Sequence, residues 1–332
     1  MRESIKEYVI STNKSKYNIF LGKNTYMNPK VIVLILSYNG KQLLDEAVSS
    51  YIANDYSNFD VVVIDNGSTD ETEALLSHKY PTIQVIRIEK NLGYSGGFNV
   101  GMRFAFDQKK TDYVLITNND VKADKHLIKE LVKTAERDQS IGFTIGKTYY
   151  YDQPNVLQSV GRTEHPITWK NRHLGLGEHD EGQYDTIIER PFCDDIYWLV
   201  RREMYERTGG YDTNFKFQAE DFDWQVRAKK AGYKIMYTPY AKLWHKGSVT
   251  IGKDSPMKAF YDYRNPTIVI MKYRDCKYFK RYFQFLVKKL LKSTIKNLIK
   301  LRLYYVFKQW HGISLAVFWG VKHRYLSIKH FI

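Results

Sequence analysis

Apolar runs that stop abruptly at small polar residues recur along the first third of this chain, with helical patterns between them. Val31-Ile-Val-Leu-Ile-Leu36 has the unbroken apolar pattern of a buried strand and ends at Ser37-Tyr38-Asn39-Gly40. Leu43, Leu44, Ala47, Val48 and Tyr51 follow at helical spacing. Phe59-Asp-Val-Val-Val-Ile64 predicts a second strand, closing on Asp65-Asn-Gly-Ser-Thr-Asp70, where Thr69 or Asp70 can cap the next helix. Ile83–Ile88 and Val114–Thr117 predict a third and a fourth strand. Strands alternating with helices at this spacing imply an α/β chain with a Rossmann-like, mostly parallel sheet covered on both faces. In the second half, Phe143–Tyr150 and Trp198–Val200 read as short strands, and residues 161–184 as polar loops. Glu220 to Ala231 reads as a helix with two acids at its N-terminus, Lys229 and Lys230 in its last turn, and Gly232 as its stop. Ala241 to Trp244 is a short apolar strand ending at His245.

The chemistry concentrates where these strands end. Tyr113-Val-Leu-Ile-Thr-Asn-Asn-Asp120 delivers a carboxylate from the C-terminal end of a buried strand, which is where open α/β sheets place ligands. One or two carboxylates, with substrate phosphates and water, suit Mg²⁺ or Mn²⁺. The same Asn118-Asn119-Asp120 also reads as the cap of a helix starting near Ala123, and taken alone the triplet favours the cap. Asn91 to Met102 holds four glycines within nine residues, which lets backbone N–H groups approach a phosphate or a pyranose at a helix start. A dinucleotide fingerprint is excluded by its order and spacing, and no lysine-bearing phosphate loop is present.

Composition changes the picture in one place. The 332 residues, 43% hydrophobic and 26% charged, are enough for one large or two ordinary domains with a real core. The formal net charge is +15, and fifteen Lys and Arg against one acid, Asp275, put +14 of it between Met271 and Ile332. A near-neutral body with a basic anchor follows, not a nucleic-acid-binding face. From Tyr282 to Tyr305 the pattern is helical. Val287, Leu290, Leu291, Leu298 and Leu301 share one side, and Lys289, Lys292, Lys296 and Lys300 line another. Ile313 to Val321 is apolar and carries Phe318 and Trp319. Neither segment can span a bilayer, and a Lys-rich face beside an aromatic one fits an anionic interface. A helical pair packed on the body with a solvated basic face is the alternative. Cys193 and Cys276 have no metal-ligand spacing, and residues 1–28 lack a signal-peptide pattern, so a reducing cytosol is expected. Residues 1–28 read as an extra strand, a flexible lead or a contact arm.

Ser37-Tyr-Asn-Gly, Asp65-Asn-Gly-Ser-Thr-Asp, the Gly93 to Gly101 stretch, Asn118-Asn-Asp120, Glu220-Asp221 and Trp244-His245 occur in this order. That order resembles the family 2 glycosyltransferases of GT-A fold, most closely their rhamnosyltransferase-type branch, from about Lys30 to about Pro266. The resemblance implies that Ser37, Tyr38, Asn39 and Asp65 hold the base and ribose of a nucleotide-sugar, a carboxylate being able to accept from N3–H of uracil or thymine. It places Gly96, Gly97, Asn99, Asn118 and Asn119 near the nucleotide or donor sugar. Asp120 matches the last Asp of the DxD metal element, whose first Asp is here Asn118, and His245 matches a position that completes this site in some relatives. Asp221 matches the catalytic base of an inverting transfer, Asp223 being a second candidate. Where relatives have a small Gly-Ala step, this chain has Cys193-Asp-Asp-Ile-Tyr-Trp198, so Asp194, Asp195 and Trp198 are candidate acceptor contacts, Asp194 and Asp195 reading equally as loop acids, while Glu220, beside Asp221, holds structure or binds the acceptor.

The expected enzyme is therefore a metal-assisted (Mn²⁺ or Mg²⁺) inverting glycosyltransferase. It would move a hexosyl group, rhamnosyl foremost, from a dTDP- or UDP-sugar to a lipid-linked or growing surface glycan at the inner face of the cell membrane. Residues 29–122 would form the nucleotide-sugar half, 123–265 the acceptor half, and 266–332 a basic helical membrane-associating tail. A sugar nucleotidyltransferase would want an early phosphate loop where Ser37-Tyr-Asn-Gly40 stands. A nucleic-acid-binding protein would leave the acids at Asp120 and Asp221 unexplained.

Overall fold

A computed structural model describes residues 28–247 and 255–328. The expectations for residues 1–28 therefore lie outside the described residues, save Asn28. The first half runs β1 (Val31–Ser37), α1 (Lys41–Ile52), β2 (Phe59–Asp65), α2 (Thr72–Lys79), β3 (Gln84–Arg87), α3 (Gly93–Met102) and β4 (Tyr113–Asn118). A π-helical turn, Arg103–Gln108, prolongs α3. The chain continues through β5 (Val121–Ala123), α4 (Leu127–Ala135), β6 (Ile141–Tyr150), β7 (Leu157–Ser159), β8 (Arg162–His165), β9 (Trp169–His173) and β10 (Ile188–Glu189). After these come β11 (Tyr197–Arg201), α5 (Arg202–Thr208), α6 (Glu220–Lys230), β12 (Lys234–His245), α7 (Pro256–Tyr273), α8 (Cys276–Ile299) and α9 (Leu303–Ile328).

One sheet carries the body, in the order β10-β12-β6-β11-β4-β1-β2-β3. β3, β2, β1 and β4 are mutually parallel, as the alternating pattern predicts, and β11 enters antiparallel beside β4. Alternate residues of β1 face opposite sides. Val31, Val33 and Ile35 pack with Leu44, Val48, Leu127 and Leu131, while Ile32 and Leu34 pack with Phe98, Met102 and Phe106. A strand apolar on both faces is thus explained by helices on both. α3 lies so close to the sheet that a Cβ on Gly97 would sit 2.5 Å from Leu36 Cδ1.

Three local expectations are corrected. Asn118-Asn119-Asp120 caps no helix, because β5 intervenes and the next helix begins at Leu127. α2 starts without a side-chain cap. Asp70 instead accepts the Lys41 N–H at 2.9 Å, so it serves the start of α1, while the Thr69 N–H donates to Asn39 Oδ1 at 2.8 Å. Within residues 161–184, read as polar loops, β8 and β9 form an antiparallel hairpin.

The C-terminal helices pack on the body as a third apolar cluster. Tyr282, Leu286 and Leu290 of α8 join Ile268 of α7, Ile313 and Ala316 of α9, Phe222 and Val226 of α6, and Trp169 of the hairpin. α9 approaches α7 closely, since a Cβ on Gly312 would meet the Phe260 carbonyl oxygen at 2.5 Å. The single apolar side expected for α8 is divided. Leu290 turns inward with Leu286 one turn before it, leaving Leu291, Leu298 and Leu301 exposed at 47%, 44% and 84%. The division at residue 265/266 falls inside α7.

Asp223 fastens α6 to α7 and departs from its reading as a second base. Its fully buried carboxylate accepts from Arg227 Nε at 2.9 Å, Lys272 Nζ at 2.6 Å and the Tyr273 hydroxyl at 2.9 Å, which leaves no approach for a substrate. Asp223→Ala strands two half-buried cations and is expected to cost about 3–5 kcal/mol, the cost of breaking a buried pair. Urea unfolding checks it; an unchanged midpoint would show that the fold does not depend on this anchor.

Candidate functional site

The loops after β1, β2 and β4 emerge at one edge of the sheet because those strands are parallel and in register, Leu36 opposite both Ile64 and Asn118. Ser37 is buried, and its hydroxyl accepts from Asn119 Nδ2 at 3.1 Å. Asn39 adopts φ +48°, a conformation Asn tolerates better than most residues, and its N–H donates to Ser68 Oγ at 3.0 Å. Tyr38 beside it is 40% exposed. Asp65 is fully buried; one carboxylate oxygen accepts the Ser68 N–H at 2.9 Å, and the other pairs with the Arg87 guanidinium, which also donates to the Ser68 carbonyl at 2.8 Å.

The glycine-rich stretch forms the body of α3, not a loop at its start. Gly97 is needed for close packing on Leu36 and Asn66, and Gly96 lies against Leu92. Asn99 departs from its donor-side expectation: its amide donates to the Tyr211 carbonyl at 2.8 Å and accepts the Tyr211 N–H at 2.9 Å. Both polar ends are thus occupied in fixing the loop before α6. Tyr94, on the same helix, donates to the Asp195 carbonyl at 2.7 Å and lies 3.3 Å from Asn118 Oδ1, joining the two halves of the site.

Asp120 and His245 meet because β5 pairs with β12, setting Val121 opposite His245. His245 Nε2 lies 3.2 Å from Asp120 Oδ2, both residues being buried. Gln158 Oε1, at 2.9 Å, accepts from His245 Nδ1. With Nδ1 as the donor, the Nε2 lone pair confronts a carboxylate, an arrangement that calls for a shared proton or cation. One carboxylate and one imidazole fit a divalent ion that takes its other ligands from phosphate oxygens and water. Among the described residues no cluster of three or more His, Cys, Asp or Glu could hold a metal unaided.

Asp195, Glu220 and Asp221 gather beyond Tyr94. Gln218 and Ala219 adopt φ +66° and +67°, and the side chain of Asn265 on α7 holds that loop by donating to the Phe217 and Gln218 carbonyls at 2.6 and 2.8 Å. Two successive non-glycine residues in the left-handed region cost free energy, and this strain aims the start of α6 into the site. Asp221 pairs with Lys170 of β9. Burial pushes the Asp195 carboxyl up to about 8, assisted by the charge of Asp221 and opposed by Lys170. Burial, then Asp195 and Asp221, raise Glu220 well above the usual range, and its Oε2 has no hydrogen-bond partner. Burial thus favours the neutral form of Asp195 and of Glu220.

The other two acceptor candidates separate from this group. Asp194 pairs with Arg162 and with His173 Nδ1 at 2.8 Å, and accepts from Ser159 Oγ at 2.9 Å. Burial acts to raise its carboxyl, but the guanidinium and His173 override that and hold it well below the usual range. Trp198 is fully buried, stacked on Phe143 with ring centroids 4.4 Å apart, out of reach of any acceptor. Sequence reasoning missed Arg87, Tyr94, Gln158 and Lys170. Arg87 was within reach, since it ends the strand paired beside Asp65; Lys170 was not, standing 51 residues from Asp221 in a stretch without periodicity.

A family model described as "Glycosyl transferase family 2" matches residues 32–209. Over 212 residues, 58% of the chain and 68% of the relative, 27% are identical to N-acetylglucosaminyl-diphospho-decaprenol L-rhamnosyltransferase of Mycobacterium tuberculosis. The chain spans only 30% and 51% of the length of two other curated relatives it matches. Among solved structures, a Pyrobaculum calidifontis mannosyltransferase in complex with GDP-Man and Mn²⁺ is similar at TM-score 0.51 and 18% identity, over 87% of this chain and 75% of that one. GalNAc-T7 with UDP, GalNAc and Mn²⁺ is similar at TM-score 0.60 and 16% identity, over 77% and 50%. These likenesses identify the fold as GT-A-like.

The protonation of Asp195 has a measurable sign. Its folded-state pKa, about 8, lies above the ordinary 3.8, so the folded state binds more protons between those values and loses stability as pH rises across that window. Asp195→Asn removes this loss. Thermal midpoints compared across the window should move steadily in the variant's favour as pH rises; a constant difference would mean Asp195 is ionised in the fold.

Proposed function

Because this chain belongs to glycosyl transferase family 2 and is a glycosyltransferase, we propose that it is an inverting hexosyltransferase, rhamnosyl being the foremost group, using a dTDP- or UDP-sugar. The observation that supports this reading is that Tyr94, bonded to Asn118 and to the Asp195 carbonyl, links the strand end that leads to the Asp120–His245 pair with the acid cluster that includes Asp221. Residues 29–122 supply the donor half and residues 123–265 the acceptor half. Asp65, at the end of β2 and now covered by Arg87, would accept N3–H of the base through lone pairs beyond those it already uses once that guanidinium gives way. Asp120 and His245 would hold Mn²⁺ or Mg²⁺, which neutralises charge on the departing diphosphate. Asp221 takes the proton of the acceptor hydroxyl as its oxygen bonds to the anomeric carbon and the bond to the diphosphate breaks.

The acceptor is a lipid-linked or growing surface glycan, met at the inner face of the cell membrane. No described helix is long and apolar enough to cross a membrane. At the turn between α8 and α9, however, Ile295, Ile299, Leu303 and Phe307 are exposed at 61%, 78%, 65% and 58%, close to Lys292, Lys296 and Lys300. Apolar side chains flanked by lysines suit an anionic bilayer surface.

Nucleoside diphosphates should raise the thermal midpoint only with Mn²⁺ or Mg²⁺, dTDP or UDP more than GDP or ADP. Asp221→Asn should keep that shift while transfer falls at least about a hundredfold, the usual contribution of a general base. Near-full turnover in the variant would reassign the base. In co-sedimentation with vesicles containing an anionic lipid, the chain should bind, and charge reversal at Lys292, Lys296 and Lys300 should release it. Equal binding to neutral vesicles would remove the electrostatic part of this reading.

A further inference from the structure

The hairpin β8–β9 carries a cation into the acid cluster, and the reaction as described leaves it unused. The side chains of Lys170 and Asp221 are 14% and 10% exposed, and the ammonium pairs with Asp221 Oδ2. Other charged and titratable groups face this pair from every side: Arg162 and His173 on the hairpin, Cys193, Asp194 and Asp195 on the loop before β11, and Glu220 on α6. Tyr94 and Tyr211 lie near the same acids, and burial pushes their hydroxyls further up. Arg162 and His173 are bound to Asp194. Lys170 therefore stands against three carboxyls, Asp195, Glu220 and Asp221, and bonds one of them.

We propose that Lys170 is the positioning residue that selects the base: by pairing with Asp221 it decides which carboxyl of the cluster carries the charge, and it holds one oxygen of that carboxylate so that the other meets the acceptor hydroxyl. This rests on the reading of Asp221 as the base. The physical ground is that adjacent buried carboxyls cannot all ionise, so the nearest cation chooses among them. The choice is built into the backbone. Trp169, which precedes Lys170, adopts φ +67° and packs edge-on to Phe222 of α6 with centroids 5.5 Å apart. The Arg274 guanidinium, between α7 and α8, lies 3.7 Å from the Trp169 ring centroid. In the reaction the proton moves from the acceptor hydroxyl to Asp221 while Lys170 keeps its charge. The neutral Asp221 then faces an ammonium without its counter-charge, which favours return of that proton to solvent.

Two measurements on the full chain test this. The first needs no turnover: thermal midpoints of Lys170→Met and of Lys170→Met with Asp221→Asn, at about pH 5.5 and about pH 8.5, both well above the ordinary range of a carboxylate. Without the cation, ionising Asp221 destabilises the fold, so the single variant should lose more at the higher pH and the double variant should recover there. Equal loss at both pH values, or no recovery, overturns the pairing. The second is the pH profile of kcat. In Lys170→Met the acidic limb should move up by about one unit, so that kcat falls about tenfold at pH values below the parent's limb and little above the variant's. Lys170→Arg should restore it, with the donor KM unchanged throughout; an unmoved limb overturns base selection. Absence of transfer in the parent chain counts against the chemistry proposed for Asp221, whereas the stability comparison still decides whether Lys170 pairs with it.

Discussion

Carboxyl groups buried side by side must either stay protonated or find a cation, and the acid cluster of this site is built on that constraint. Asp194 is satisfied by Arg162 and His173, and Asp221 by Lys170, while burial pushes the carboxyls of Asp195 and Glu220 up. The five partners come from the hairpin, the loop before β11 and α6, so none of these segments can move without exposing a charge to apolar surroundings. The surrounding packing answers to the same demand. Two left-handed residues precede α6, and an asparagine on α7 fastens their carbonyls.

The Asp120–His245 pair obeys a related rule at the neighbouring strand ends. An imidazole nitrogen turned toward a carboxylate needs a cation or a proton between them, and Gln158 fixes the ring that way round. Tyr94 spans the interval to the acid cluster through Asn118 and Asp195. One helix, α3, whose Gly97 lets it lie close to the sheet, thus ties the end of β4 to the loop before β11.

The C-terminal helices have two faces with different work. Inward, α7 and α8 complete the apolar cluster behind α6 and the hairpin, and Lys272 neutralises Asp223. Outward, the turn between α8 and α9 displays aliphatic and aromatic side chains among lysines. The same helices that would meet a lipid surface therefore buttress the loop and the hairpin from which Asp221 and Lys170 project.

The alternating apolar runs determined the parallel half of the sheet, because a strand covered on both faces must be apolar along its whole length and must end at its polar loop. They therefore placed Ser37, Asp65 and Asp120 at a common edge before any coordinate was known. The acids and His245 could be marked from motif order, but not their state. That Asp223 is an anchor, Asp194 a closed ion pair and Trp198 part of the core depends on partners 4 to 55 residues away. Lys170 left no trace in the sequence, since a lysine in a polar stretch reads as solvated until a hairpin folds it against a carboxylate. Periodicity records which face of an element is buried. Which charges share a dielectric cavity is decided only when distant segments pack, and on that the chemistry of this site depends.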